Sequence, residues 1–188
     1  MFKMKEIEGE LKYAVRRQEE HIYRRQLRLA NPAMERFRGL ILYNLEAGEA
    51  VLTDNNDVQI YTDGRKKFEA LLREIYAAQH YIHMQYYIIK NDELWQTIEK
   101  ALIQKAREGV EVRILFDSMG CRTMRNRDWE RLEKEGILVA EFFPALLGQL
   151  QLRVNYRNHR KIVVIDGRVG FVGGFNIGRE YIGRDKKF

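Results

Sequence analysis

The segment RNHRKIVVIDGRVGFVGGFNIG, residues 157–178, constrains the fold more than any other part of the chain. Ile162, Val163, Val164 and Ile165 form an unbroken β-branched run, which reads as a strand buried on both faces. Asp166-Gly167 is a two-residue hairpin signal, and Arg168 to Val172 is the returning strand. On a strand, residues two apart share a face. The spacing H-x-K-x4-D therefore predicts His159 and Lys161 side by side, as an imidazole beside an ammonium, with Asp166 at the turn. Asp166 is expected to close the hairpin by accepting from backbone N–H groups of its own turn. Gly173 and Gly174 follow, where a backbone without side chains lets a ligand approach. Asn176 is then expected at a helix start, where its side chain caps the helix or donates to an anion.

That constellation suits attack on a phosphodiester. A neutral imidazole is available as a nucleophile near pH 7. Lys161 and the Asn176 amide would hold non-bridging oxygens as phosphorus becomes five-coordinate. A covalent phosphohistidine divides one hard displacement into two easier ones. The lysine supplies the positive charge, so neither a metal nor a cofactor is required.

The remaining elements place the segment in an α/β fold. Gly64 to Ala78 carries Phe68, Leu71, Leu72 and Ile75 at helical spacing. His80 to Ile89 reads as a strand. Asp92 is a candidate N-cap for a helix that ends at Gly109. Val110 to Phe116 is a strand ending at Asp117, and Asn126 to Glu135 is a short helix closed by Gly136. Ile137 to Phe143 is a strand, with Leu152 to Val154 a further one, and Val58 to Tyr61 is a short strand near the start. Strands alternating with helices imply βαβ units. Two helices are expected to precede them, at about Lys3 to Ala30 and Ala33 to Leu45, with Asn31-Pro32 between and Gly48 at the end.

Other polar residues remain open to two readings. Asp117 is either a pocket residue or a cap for the loop Ser118-Met119-Gly120. Glu180 either approaches the pocket or lies at the surface, and Arg113 either pairs with a carboxylate or reaches an edge. Asn158 and Arg157 either line a phosphate entry or form a plain loop. His80 and His83 point to opposite faces of a strand, which argues against a shared metal. Gln85 and Tyr87 share the face of His83. The single cysteine, Cys121, excludes an internal disulfide and reads as a small residue near the site rim. A net charge of +6 draws the chain to polyanions, whether lipid surfaces or nucleic acid. No run approaches the roughly 18–20 apolar residues that span a bilayer. The N-terminus lacks the apolar core of a signal peptide. The arginine-rich first helix reads as a solvated or packed helix, or as one lying on a lipid surface.

HRKIVVID followed by GFVGGFNIG and EYIG resembles the first catalytic motif of the phospholipase D superfamily, and more narrowly that of the bacterial cardiolipin synthases. The likeness continues upstream through YTDGRKKFEALLREIYAAQHYIHMQYYII, EKALIQKAREGVEVRILFDSMG and FFPA, from about Asn56 to Gly183. The resemblance implies a phospholipase D-like α/β/α sandwich with a mixed, largely parallel sheet over residues 54–188, preceded by a helical segment over 1–53. It implies a phosphatidyltransferase with His159, Lys161 and Asp166 as catalytic residues and Gly173, Gly174 and Asn176 at the substrate. Phosphatidylglycerol at the bacterial cytoplasmic membrane would be the lipid, with the chain bound peripherally. Members use two such motifs and a carboxylate that orients the nucleophilic histidine. This chain has one motif, and Asp185 is a poor carboxylate candidate in a charged tail. The expected partner is therefore a C-terminal catalytic half or a second copy of the chain. Two alternatives stand beside this reading: a homodimeric phosphodiesterase or nuclease with a shared site, and a non-catalytic phosphate-binding domain.

Overall fold

The computed structural model describes residues 4–24, 29, 31–53, 55–142 and 157–185. It divides into two compact units, 1–59 and 60–188. In the first unit, helix α1 spans Met4–Tyr23. Asn31 caps the next turn, its Oδ1 accepting from the Ala33 N–H, and Pro32 opens a 3₁₀ helix through Phe37. Helix α2 then runs Arg38–Gly48. The left-handed position that ends it is Glu49, at φ 49°, rather than the glycine before it. Ile22, Ile41 and Leu45 form a small core, and Gln18 clamps Leu52 by donating to its carbonyl and accepting from its N–H.

The second unit is built on a five-stranded sheet in the order β3-β2-β1-β4-β5. Its strands are β1 Tyr81–Tyr86, β2 Glu111–Asp117, β3 Leu138–Phe142, β4 Ile162–Ile165 and β5 Val169–Val172. The mixed sheet is borne out. Its pairings divide equally: β1–β2 and β2–β3 are parallel, while β1–β4 and β4–β5 are antiparallel. Helix α3 Gly64–Ala77 leads into β1, while α4 Glu93–Arg107 connects β1 to β2 and α5 Asn126–Lys134 connects β2 to β3. Asp63 and Asp92 cap α3 and α4 through their carboxylates.

Alternation on the strands shows where the core lies. Ile82, Met84, Tyr86, Val112, Ile114, Phe116, Val163 and Ile165 are buried in one cluster with Phe68, Leu71, Trp95, Ile98, Leu102, Trp129 and Leu132. All three helices therefore share one sheet face. The other face carries Tyr81, His83, Gln85, Arg113, Leu115 and Val164, each half-buried, with Leu138 and Val172 exposed. β4 is thus buried on one side, not on both as its uniform composition suggests. Residues 58–61 form no strand, and β1 ends at Tyr86, three residues earlier than expected. Leu152 to Val154 and Phe143 lie outside the described residues.

The hairpin also differs in detail. Ile165 pairs with Val169, so the connection holds Asp166, Gly167 and Arg168. Asp166 and Gly167 both have positive φ, 54° and 64°, and the Arg168 N–H donates to the Ile165 carbonyl. Asp and Gly are suited to that left-handed geometry, which explains the dipeptide.

Candidate active site

His159 and Lys161 stand just before β4 rather than on it. The ladder extends one step past the strand, with the Gly173 N–H donating to the Lys161 carbonyl at 3.3 Å. That step sets Gly173 and Gly174 beside the motif, and both are exposed with open space around their Cα atoms. The imidazole of His159 is exposed on one side. On the other it stacks on the ring of Tyr87, with centroids 3.8 Å apart and planes inclined by 19°. The Lys161 ammonium donates to the His159 carbonyl and lies 5.4 Å from the centre of the same Tyr87 ring. Burial lowers the Lys161 pKa from its ordinary value. Both side chains thus lie near one aromatic ring, and neither stands on a strand.

Asn176 is 5% exposed and caps no helix. Its Oδ1 accepts from the Ile88 N–H at 3.2 Å, and its Nδ2 donates to the Tyr181 hydroxyl at 2.9 Å. The segment around it pairs with the exit of β1: the Ile177 N–H donates to the Ile88 carbonyl, and the Lys90 N–H to the Ile177 carbonyl. A short 3₁₀ helix, Arg179–Ile182, follows. Asn176 thus sits one residue from Tyr87 in this pairing and braces that backbone. Of its two amide protons, one is committed to Tyr181.

Asp166 lies at the far end of β4 from Lys161, about 16 Å away at the usual rise of a strand. Its carboxylate does not bond its own turn. It accepts from the N–H groups of Gln79, His80 and Tyr81 at 2.9, 2.8 and 2.8 Å, which ties the hairpin to the start of β1. Burial would raise its pKa, yet those donors outweigh it and hold the carboxyl below its ordinary range. The geometry makes Asp166 a structural clamp.

The other candidates resolve into supporting roles. Asp117 is fully buried; one carboxylate oxygen accepts from the Met119 N–H at 3.0 Å and the other from the Asn158 N–H at 3.0 Å. It is therefore a loop anchor that also holds the residue preceding His159, a contact invisible in sequence because 41 residues separate the pair. Asn158 forms a local turn, its Oδ1 accepting from the Arg160 N–H. Cys121 is buried beneath Tyr87 and Ile89: its thiol donates to the Tyr87 carbonyl and accepts from the Ile89 N–H, and burial pushes its pKa up to about 12. Glu180 pairs with Lys90 at 2.6 Å, while Arg113 and His83 both pair with Glu111. Asp185, expected in an exposed tail, is mostly buried and lies 3.7 Å from Arg179.

Comparison with known proteins matches this architecture. Residues 71–186 fit the family model described as cardiolipin synthase, phospholipase D-like domain. The major cardiolipin synthase ClsA of Bacillus subtilis is 47% identical over 174 residues, covering 93% of this chain and 36% of that protein. A cardiolipin synthase of Staphylococcus aureus is 50% identical over 159 residues, covering 85% and 32%. The chain thus spans about a third of the length of these curated relatives. Among solved structures, NucT from Helicobacter pylori shares the fold, with a TM-score of 0.50 at 20% identity over 65% of this chain and 74% of that one. The family match covers most of the chain, including the His159 motif, and the chain belongs to the cardiolipin synthase family of phospholipase D-like domains.

Proposed function

We propose that this chain carries the nucleophilic half of a phosphatidyltransferase active site. The observation that carries the reading is the exposed His159 imidazole beside the half-buried Lys161, in a chain of this family. A ring nitrogen of His159 attacks the phosphorus of phosphatidylglycerol. The P–O bond to the headgroup glycerol breaks, and glycerol leaves with a proton from a second acid. The hydroxyl of another phosphatidylglycerol then attacks the phosphohistidine, giving its proton to the conjugate base of that acid, and the P–N bond breaks to form cardiolipin and free His159. Lys161 neutralises the non-bridging oxygens. The backbone at Gly173 and Gly174 leaves room for the diester. Asp166 takes no step in the reaction.

The second acid and the orienting carboxylate come from a C-terminal half or a second copy. The donor lipid places the chain at the cytoplasmic membrane surface of a bacterium. No helix among the described residues is long and apolar enough to cross a bilayer. The test is conversion of phosphatidylglycerol in vesicles by the chain alone and by the chain joined to the C-terminal region of a relative. Cardiolipin formed by the joined protein and lost with His159→Ala supports the reading. Activity of a dimer of the chain on DNA, with none on lipid, would replace it with the shared-site nuclease.

A further inference from the structure

We propose that Tyr87 is a positioning residue for His159, held in place by the loop after β2. This rests on His159 being the nucleophile, but its geometry is independent of the substrate. Three observations converge. The Tyr87 ring stacks on the imidazole at 3.8 Å and lies 5.4 Å from the Lys161 ammonium. The ring is therefore a platform for the imidazole, with the ammonium near it, and the negative face of an aromatic ring suits a nearby cation. Tyr87 lies past the end of β1, where no ladder fixes it. Its backbone is instead gripped by the loop 117–121. Cys121 bonds the Tyr87 carbonyl and the Ile89 N–H, and a Cβ on Gly120 would stand 1.9 Å from the Tyr87 oxygen. The same loop grips the nucleophile's side of the stack. Asp117, its first residue, is fully buried and accepts the Asn158 N–H. One loop thus holds the chain on both sides of the stack: Tyr87 through Gly120 and Cys121, and Asn158, the residue before His159, through Asp117.

An exposed histidine in a loop samples several rotamers, and each ordered rotor costs conformational entropy. A stacked platform removes that freedom before substrate arrives, which is how positioning lowers a barrier. A tyrosine serving only as core packing would lie inside; this ring is half-exposed with the imidazole on its face.

Proton NMR of the chain, with His159 assigned by His159→Gln, tests the inference without any turnover. The His159 ring protons should lie upfield of those of His21, by several tenths of a part per million. The couplings about its Cα–Cβ bond should report one rotamer. Tyr87→Phe should keep both signatures. Tyr87→Leu should abolish the upfield shift and average the couplings, with His80 and His83 unchanged. Asp117→Asn, which retains only a weaker acceptor, should average them in part. Should Tyr87→Leu fail to fold, Tyr87→Trp decides, since its larger ring deepens the shift. A His159 signal unmoved by Tyr87→Leu or Tyr87→Trp, or averaged couplings in the unmutated chain, would overturn the assignment. A result as expected with no phosphatidyl transfer in the joined protein would leave the positioning intact and remove the proposed activity.

Discussion

Replacing Asp166 separates the structural from the chemical content of the H-x-K-x4-D motif. Its carboxylate accepts three N–H groups, from Gln79, His80 and Tyr81, at 2.9, 2.8 and 2.8 Å. A hydrogen bond to a charged group contributes roughly 1.5–3 kcal/mol when water is excluded. These donors are partly exposed, and water can replace the carboxylate, so about 1 kcal/mol each is the appropriate scale. Asp166→Ala also puts a Cβ-bearing residue without a polar side chain at φ 54°, a further cost of about 1 kcal/mol. The expected loss is about 4 kcal/mol. Asp166→Asn tolerates the left-handed backbone and keeps one neutral acceptor, so it should lose about half of that. Urea unfolding followed by tryptophan fluorescence reads the right unit, because Trp95 and Trp129 both lie in its core.

The pH dependence has a definite sign. The folded pKa of Asp166 is depressed, so its contribution is fully present above the unfolded value, about 3.9, and is lost as pH falls through the folded value. The gap between the unmutated chain and Asp166→Asn should be constant near pH 6 and close in acid. A loss below about 1 kcal/mol for Asp166→Ala at pH 7, or a gap that persists in acid, would refute the clamp. In a joined, active protein, Asp166→Asn that remains folded should retain the chemical step.

In that joined protein His159→Ala should abolish turnover, while His80→Ala and His83→Ala retain it; equal loss in all three folded variants would reject His159 as nucleophile. Lys161→Ala should slow single-turnover transfer by at least about 10²-fold, the scale of a lost oxyanion donor, and EDTA should have no effect. Asn176→Ala should act first on stability, because its buried amide braces Ile88 and Tyr181; a normal urea midpoint with a lost chemical step would instead place it on the substrate. Lys67 is buried, donating to the Tyr86 hydroxyl at 2.9 Å and lying over the Phe68 ring, and burial depresses its pKa to about 7. The unfolded chain then binds more protons between pH 7 and about 10, so stability should rise with pH there by up to about 1.4 kcal/mol per unit. Lys67→Met should remove that slope, seen in urea midpoints across the range.

What the sequence made legible follows the range of the interactions. Helix boundaries at Gly64, Asp92 and Gly136 are set by residues within a turn of the end, and the structure keeps them. The hairpin at Asp166-Gly167 is similarly local. The one-sided burial of β4 is not legible because IVVI is apolar on both sides, and composition cannot show that helices α3, α4 and α5 share one face. Val58 to Tyr61 alternates, yet Val58 and Ile60 are 77% and 86% exposed; alternation without a neighbouring strand makes no ladder.

The site shows the same division more sharply. Residue identity within the motif named His159 and Lys161, but it assigned Asp166 to its own turn, when the donors lie more than 80 positions upstream. Alternation from His83 points to Tyr87, but the strand ends one residue before it. The ring meets His159 because β1 and β4 are antiparallel neighbours, with Gln85 opposite Ile162. Extending that register past the strand ends carries the chain of Tyr87 alongside residue 160, between His159 and Lys161. Strand order therefore determines which aromatic residue lies beneath the nucleophile, and no local pattern encodes strand order. Asp117 follows from the same topology. β2 is the parallel neighbour of β1, so its C-terminal end emerges at the edge where Tyr87 leaves, and a buried carboxylate there can reach the chain entering β4.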